Sequence, residues 1–192
     1  MHFITDFADL AVLLPLAVCI GGGLAWQGWR RGAVAWAVAV PATLAAMLVL
    51  KLMFVGCAEA LGGFSPSGHT AAATVIYGGL AALWLRRQGA QVLVSLALGS
   101  GAVAVLIGAS RLLLNMHSLA EVAVGAAVGT AGVALLLRLA ALPPHGLRLG
   151  RVAIAALVVM LVLHGLRLPV EPNIKAVAGW LPTQVCKMVA QR

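Results

Sequence analysis

The amino-acid sequence predicts an all-α protein, a polytopic bundle that crosses a membrane with about six transmembrane helices. Hydrophobic residues make up 62% of the chain and charged residues only 9%, whereas soluble domains carry about a quarter charged residues. Apolar runs follow one another along the chain, and each is long enough to cross a bilayer, which needs roughly 17–25 residues. We therefore interpret the chain as an integral membrane protein.

Short breaks with turn or charge signals separate the apolar runs. The predicted spans are residues 10–28, 33–55, 69–85, 90–110, 117–141 and 151–168. No Lys or Arg precedes the first run, so it lacks the basic front of a signal peptide and is expected to stay in the mature protein. We predict a single transmembrane domain over residues 1–168 and an interfacial or extramembrane tail over residues 169–192.

Arginines cluster in alternate loops, the first, third and fifth. They are Arg30, Arg31, Arg86, Arg87, Arg148 and Arg151, with Arg138 nearby. Positive residues in short loops favour the cytoplasmic side, so we expect both termini and the even loops on the opposite face. The net charge of +8 comes from bases at the ends of apolar runs. This distribution indicates membrane anchoring, and no nucleic-acid partner is expected.

The first polar cluster is FSPSGHTAAAT, residues 64–74. Ser67 is a candidate helix N-cap, and Gly68 allows the backbone to approach a ligand closely. A helix N-terminus with exposed amides suits a phosphate, and His69 lies in its first turn. The alternative is an ordinary capped loop with a histidine at the membrane interface.

The second polar cluster is SRLLLNMHSLAE, residues 110–121. His117 and Glu121 are four residues apart, hence on one face of a helix. A carboxylate bonded to one imidazole nitrogen orients the other as a nucleophile or base, and the planar fork of Arg111 matches phosphate oxygens. The alternatives are a buried structural pair and an arginine that reaches to the interface.

Both clusters are predicted at helix ends on one side of the membrane, together with Lys51. No cysteine–histidine spacing indicates zinc, and the carboxylates are too few for a typical two-metal phosphatase. Phosphoryl transfer through histidine, without metal or cofactor, is the better fit. Of the three cysteines, Cys57 and Cys186 would share the outer face, so we hypothesise a disulfide between them. Two free thiols are the alternative.

These motifs resemble the type-2 phosphatidic acid phosphatase superfamily, the membrane lipid phosphate phosphatases related to vanadium haloperoxidases. The family pattern is Lys-x6-Arg-Pro, then Pro-Ser-Gly-His, then Ser-Arg-x5-His-x3-Asp. The second motif is intact at residues 66–69, and the third runs from Ser110 to Glu121 with Glu in place of Asp. In the first, Lys51 is followed by Ala58 instead of Arg and by Glu59 instead of Pro. The resemblance covers a core of about residues 51–130.

The resemblance implies a role for each matching residue and a bundle around a phosphate pocket at the outer membrane face. His117 would attack phosphorus to form a phosphohistidine, and Glu121 would take the role of the usual aspartate. His69 would protonate the leaving oxygen. The phosphate oxygens would be bound by Lys51, Ser67, Gly68 and Arg111.

The sequence leaves the substrate open within one chemical class. Polyprenyl pyrophosphate, phosphatidylglycerol phosphate, phosphatidic acid and a lipid A phosphate are all compatible, and the expected location is a bacterial inner membrane with the site on the periplasmic or exterior face. Two alternatives use the same residues: a phosphotransferase, and a lapsed enzyme that binds anionic lipid or a partner. A transporter fits less well, because its polar residues are expected at mid-membrane.

Overall fold

A computed structural model describes residues 6–57 and 64–178 of the chain. It confirms the all-α fold, since the described ranges contain helices, turns and no strand. The helices are α1 (Leu10–Trp26), α2 (Arg30–Gly56), α3 (Gly68–Ala73), α4 (Gly79–Arg87), α5 (Val92–Leu113), α6 (Leu119–Ala140), α7 (Leu149–Leu163) and α8 (Val170–Ala178). A π-helical segment, Thr74–Gly78, joins α3 to α4 without a break.

Helices occupy most of each predicted span, although α7 ends at Leu163, before the predicted end at residue 168. Three of the described helices, α2, α5 and α6, are long and apolar enough to cross a membrane. Helices α1 and α7 are apolar but shorter. Many large apolar side chains on the outer surface of the bundle are exposed, for example Val18 of α1 at 76% and Val105 of α5 at 72%. Such an apolar exterior fits an integral membrane protein. The number of six transmembrane helices stays a prediction.

Helix α6 lies at the centre of the bundle and packs against α2, α3, α4 and α5. Three buried glycines, Gly125, Gly129 and Gly132, form the close-contact face of α6. A Cβ atom on Gly129 would lie 2.6 Å from Thr74 Cβ and 2.8 Å from the carbonyl oxygen of Ala71. This glycine face therefore brings α3 and the π-helical segment directly onto α6.

The two chain ends are joined on one side of the bundle. The Asp6 carboxylate forms an ion pair with Arg167 at 2.8 Å, and Asp9 Oδ1 accepts a hydrogen bond from the Leu168 amide at 3.0 Å. Helix α8 then packs against α2. The predicted tail thus begins with a helix on the bundle, and its residues 179–192 lie outside the described ranges. The division of the chain at residue 168 stays a prediction.

Candidate active site

Lys51 lies near the C-terminal end of α2, and its side chain is only 6% exposed. A Cβ atom on Gly68 would lie 3.3 Å from Lys51 Cε and 4.0 Å from its Nζ. The absence of a side chain at Gly68 therefore leaves room for the lysine ammonium beside the first turn of α3.

Ser67 caps the N-terminus of α3 and is completely buried. Its Oγ accepts a hydrogen bond from the Thr70 amide at 3.5 Å and lies 2.9 Å from Thr70 Oγ1. His69 follows in the first turn of the helix. The positive end of a helix dipole and its first amides favour a bound anion, and Lys51 adds a full positive charge there.

Glu121 joins the two polar clusters, although 56 residues separate it from Ser65. The Ser65 amide donates to Glu121 Oε1 at 2.6 Å, and the Ser67 amide donates to the Glu121 carbonyl oxygen at 3.0 Å. These two bonds hold the loop before α3 against the first turn of α6. The helix caps of both clusters are therefore parts of one site.

The first turn of α6 is closed by a capping box between Ser118 and Glu121. Glu121 Oε2 accepts from the Ser118 amide at 2.8 Å, and the Ser118 hydroxyl accepts from the Glu121 amide at 3.3 Å. The same Oε2 lies 3.4 Å from His117 Nδ1. With the proton on Nδ1, the histidine donates to the carboxylate and Nε2 keeps its lone pair. Catalytic hydrogen bonds are often this long before substrate binds.

A tight turn between α5 and α6 carries the chain from Arg111 to His117. Asn115 adopts a positive φ of 52°, which asparagine tolerates better than most residues. The Met116 amide donates to the Arg111 carbonyl oxygen at 3.1 Å. This turn brings the arginine at the end of one helix and the histidine before the next to the same side of the bundle.

Arg111 is buried, with 4% of its side chain exposed. Its charge and that of Lys51 act on both His69 and His117, which places the two bases and the two histidines within electrostatic reach of one another. Burial of a guanidinium is unfavourable unless partners compensate it. Two buried cations at one helix-cap site make this end of the bundle suited to an anion.

The pKa of His117 lies below its ordinary value of 6.5. Burial is the largest cause, because desolvation disfavours the charged imidazolium, and the charge of Arg111 acts in the same direction. The carboxylate of Glu121 acts in the opposite direction. The net effect keeps His117 neutral at physiological pH, which is the form that a nucleophile requires.

The described structure brings together all the residues predicted to be catalytic or to bind phosphate. Cys186, the predicted disulfide partner of Cys57, lies outside the described residues. Cys57 is buried at the end of α2, and its pairing with Cys186 stays a prediction. Glu59 also lies outside the described residues. Sequence reasoning missed Asp9, which lines a cavity with Lys51 and His69. Its position before the first apolar run signalled only a helix N-cap.

Within residues 6–57 and 64–178, histidines, cysteines and carboxylates form no group of three or more that could hold a metal ion. The charged groups that do converge are Lys51, Arg111 and Glu121, with the two histidines. The expectation that the reaction needs no metal and no cofactor stays a prediction.

Comparison with known proteins gives one match. A family model described as the PAP2 superfamily matches residues 55–142, which contain both polar clusters. The match supports the resemblance to the type-2 phosphatidic acid phosphatases. No curated protein and no solved structure matches the chain.

Proposed function

We propose that this chain is a membrane lipid phosphatase, because its residues 55–142 match the model of the PAP2 superfamily, whose members are generally phosphatases. The substrate would be a lipid phosphate or pyrophosphate, hydrolysed through a phosphohistidine. One observation carries the proposal: His117 is oriented by Glu121, and Glu121 is hydrogen-bonded to the loop that begins the Pro-Ser-Gly-His helix.

The first step is attack by His117 on phosphorus. The Nε2 lone pair forms the N–P bond while the P–O bond to the lipid breaks, and Glu121 stabilises the imidazolium through Nδ1–H. His69 gives its proton to the leaving oxygen. The negative charge of the bound phosphate favours the protonated form of His69 before this transfer.

The second step regenerates the enzyme. A water molecule attacks phosphorus, its proton passes to His69, and the N–P bond breaks to release inorganic phosphate. Throughout, Lys51, Arg111 and the amides at the start of α3 would bind the phosphate oxygens, where negative charge develops in each transition state. The step through water distinguishes a phosphatase from a phosphotransferase, in which an acceptor hydroxyl would attack instead.

We further propose that the site faces the non-cytoplasmic side of a bacterial inner membrane. The arginine-rich loops lie at the opposite end of the bundle from Lys51 and Arg111, and such loops favour the cytoplasm. A single cysteine at exposed Ser118 should react with a membrane-impermeant maleimide from outside spheroplasts, and one at exposed Gln88 should not. The reverse labelling pattern would place the site in the cytoplasm.

Phosphate release by the detergent-purified protein tests the activity. We expect release from polyprenyl pyrophosphate, phosphatidylglycerol phosphate, phosphatidic acid or a lipid A phosphate, and no release after His117→Ala. The matched control is His145→Ala, because His145 is exposed at the opposite end of the bundle. Release that survives His117→Ala would refute the histidine mechanism, and none from the wild type would favour the lapsed enzyme.

A further inference from the structure

A cavity of about 390 Å³ lies beside the candidate site, between the N-terminal end of α1, α2, the start of α3 and α8. Its wall is mostly aliphatic, with Leu10 and Leu14 from α1, Leu48 from α2 and Ile174 from α8 among the lining residues. Pockets of roughly 300–1,000 Å³ with a few convergent polar groups are typical of small-ligand sites.

The cavity has one polar end. Among the described residues that line it, only Asp9, Lys51 and His69 carry charged or titratable side chains, and Gly68 lies beside them. The charges of Asp9 and Lys51 both act on His69, so the three groups are close together. A ligand that fills this cavity would therefore have an anionic head at Lys51 and an apolar body against the leucines.

Most of this wall lies outside the part of the chain that matches the family. Asp9, Leu10, Leu14 and Leu48 precede residue 55, and Ile174 follows residue 142. The wall is held by contacts between the chain ends, because Asp9 accepts from the Leu168 amide and α8 packs on α2. Most of the cavity wall is thus formed by parts of the chain outside the matched residues 55–142.

We propose that this cavity receives the single hydrocarbon chain of a phosphate monoester, and that Asp9 is a specificity-determining residue that disfavours a second phosphate. The proposal rests on the proposed function and narrows its substrate class. In a pyrophosphate bound with its terminal phosphorus at His117, the inner phosphate would lie towards the cavity. There it would meet an aspartate and aliphatic side chains, and Lys51 is the sole Lys or Arg among the lining residues that the structure describes.

The charge of Asp9 can be removed with little change of shape. Asp9 caps α1 by accepting from the Ala11 amide at 2.8 Å, and asparagine is an equally good N-cap. Asp9→Asn therefore keeps the acceptor oxygen for both Ala11 and Leu168. Asp6→Asn is the matched control, since Asp6 is an acid at the same end that pairs with Arg167 and does not line the cavity.

The first experiment compares farnesyl monophosphate with farnesyl pyrophosphate, which share one hydrocarbon. We expect kcat/KM of the wild type to favour the monophosphate by about tenfold or more, Asp9→Asn to reduce this ratio at least threefold by improving the pyrophosphate, and Asp6→Asn to keep it. A wild-type preference for the pyrophosphate, or a ratio that Asp9→Asn leaves unchanged, would overturn the proposal.

The second experiment tests the hydrocarbon wall. In the wild type, KM should fall steadily from butyl to dodecyl phosphate as the chain fills the cavity. Ile174→Trp should remove this dependence on chain length. Val177→Trp, on the exposed side of α8, should retain it. A chain-length dependence that survives Ile174→Trp would mean that the hydrocarbon lies elsewhere.

A binding measurement separates this proposal from the proposed function. The His117→Ala protein should bind farnesyl monophosphate more tightly than farnesyl pyrophosphate in a calorimetric titration, and adding Ile174→Trp should weaken the binding at least tenfold. This result would support the cavity assignment even if the wild type released no phosphate. Hydrolysis without the monophosphate preference would leave the phosphatase intact and refute the role of Asp9.

Discussion

The two ends of the bundle both carry basic residues, but they use them differently. At the end formed by residues 26–31, 86–90 and 139–148, the arginines Arg31 and Arg87 are exposed and donate to the backbone oxygens of Leu139 and His145. At the opposite end, Lys51 and Arg111 are buried, with exposed fractions of only 6% and 4%. The exposed arginines thus bind backbone oxygens at the ends of neighbouring segments, whereas the buried bases lie close to a helix N-terminus and two histidines.

Of the substitutions that compare the two ends, replacement of Arg111 should lower the hydrolysis rate most. Loss of a transition-state donor typically lowers the rate about 10²–10³-fold, so we expect Arg111→Ala to reduce kcat for lipid phosphate hydrolysis by that factor. Arg31→Ala, which removes an exposed arginine, should retain the wild-type rate. Both are measured by phosphate release in detergent. Equal rates for the two variants would mean that burial of Arg111 has no catalytic purpose.

Lys51 is the only basic residue retained from the first family motif, so its removal should be the next largest effect. We expect Lys51→Ala to lower kcat/KM about 10–100-fold, somewhat less than a lost donor at Arg111. Lys175→Ala, an exposed lysine at the same end of the bundle, should be neutral. Full activity of Lys51→Ala would remove Lys51 from the phosphate site.

A methyl group at Gly125 should disturb the site through packing. The added Cβ would collide with the Ser67 carbonyl oxygen, and overpacking of this kind typically costs about 1–3 kcal/mol. We expect Gly125→Ala to lower the thermal unfolding midpoint and the activity together. Gly22→Ala, in α1 with no atom within 4 Å of the added Cβ, should lower neither. A lowered midpoint with unchanged activity would mean that the packing of Gly125 stabilises the fold without positioning the candidate site.

The smallest effect should be a shift in pH dependence. In the proposed mechanism neutral His117 is the nucleophile, so we expect activity to be lost as pH falls through its pKa, which burial and Arg111 hold below 6.5. Glu121 opposes this shift. Glu121→Gln should therefore move the acid limb of the kcat/KM profile to lower pH and reduce its plateau. A limb that moved to higher pH would show that another group controls it.

Much of the helical fold could be predicted from the sequence, although α8 lies in the predicted tail. The residues predicted for the candidate site lie close together in the structure, and their roles stay predictions. Hydropathy located the apolar runs because membrane spans need long uninterrupted stretches. The spacing of His117 and Glu121 predicted their contact at 3.4 Å, but not that His117 precedes the N-cap Ser118 and lies outside α6. The π-helical segment at residues 74–78 could not be predicted, since its residues are as apolar as their neighbours. Asp9 and Ile174 could not be linked to Lys51 either, because contacts between chain ends leave no local pattern.

The length of the Glu121 side chain also has a consequence for substitution at this position. Its two carboxylate oxygens serve the Ser118 cap, the Ser65 amide and His117 together, and a capping box of this type uses Glu or Gln. The shorter Asp of the family pattern would be expected to lose some of these bonds in this backbone. Glu121→Asp should thus lower the activity, which a comparison of its kcat with that of the wild type would reveal. Such a loss would mean that the two acids are not interchangeable at this position, because the backbone around it fits the longer side chain.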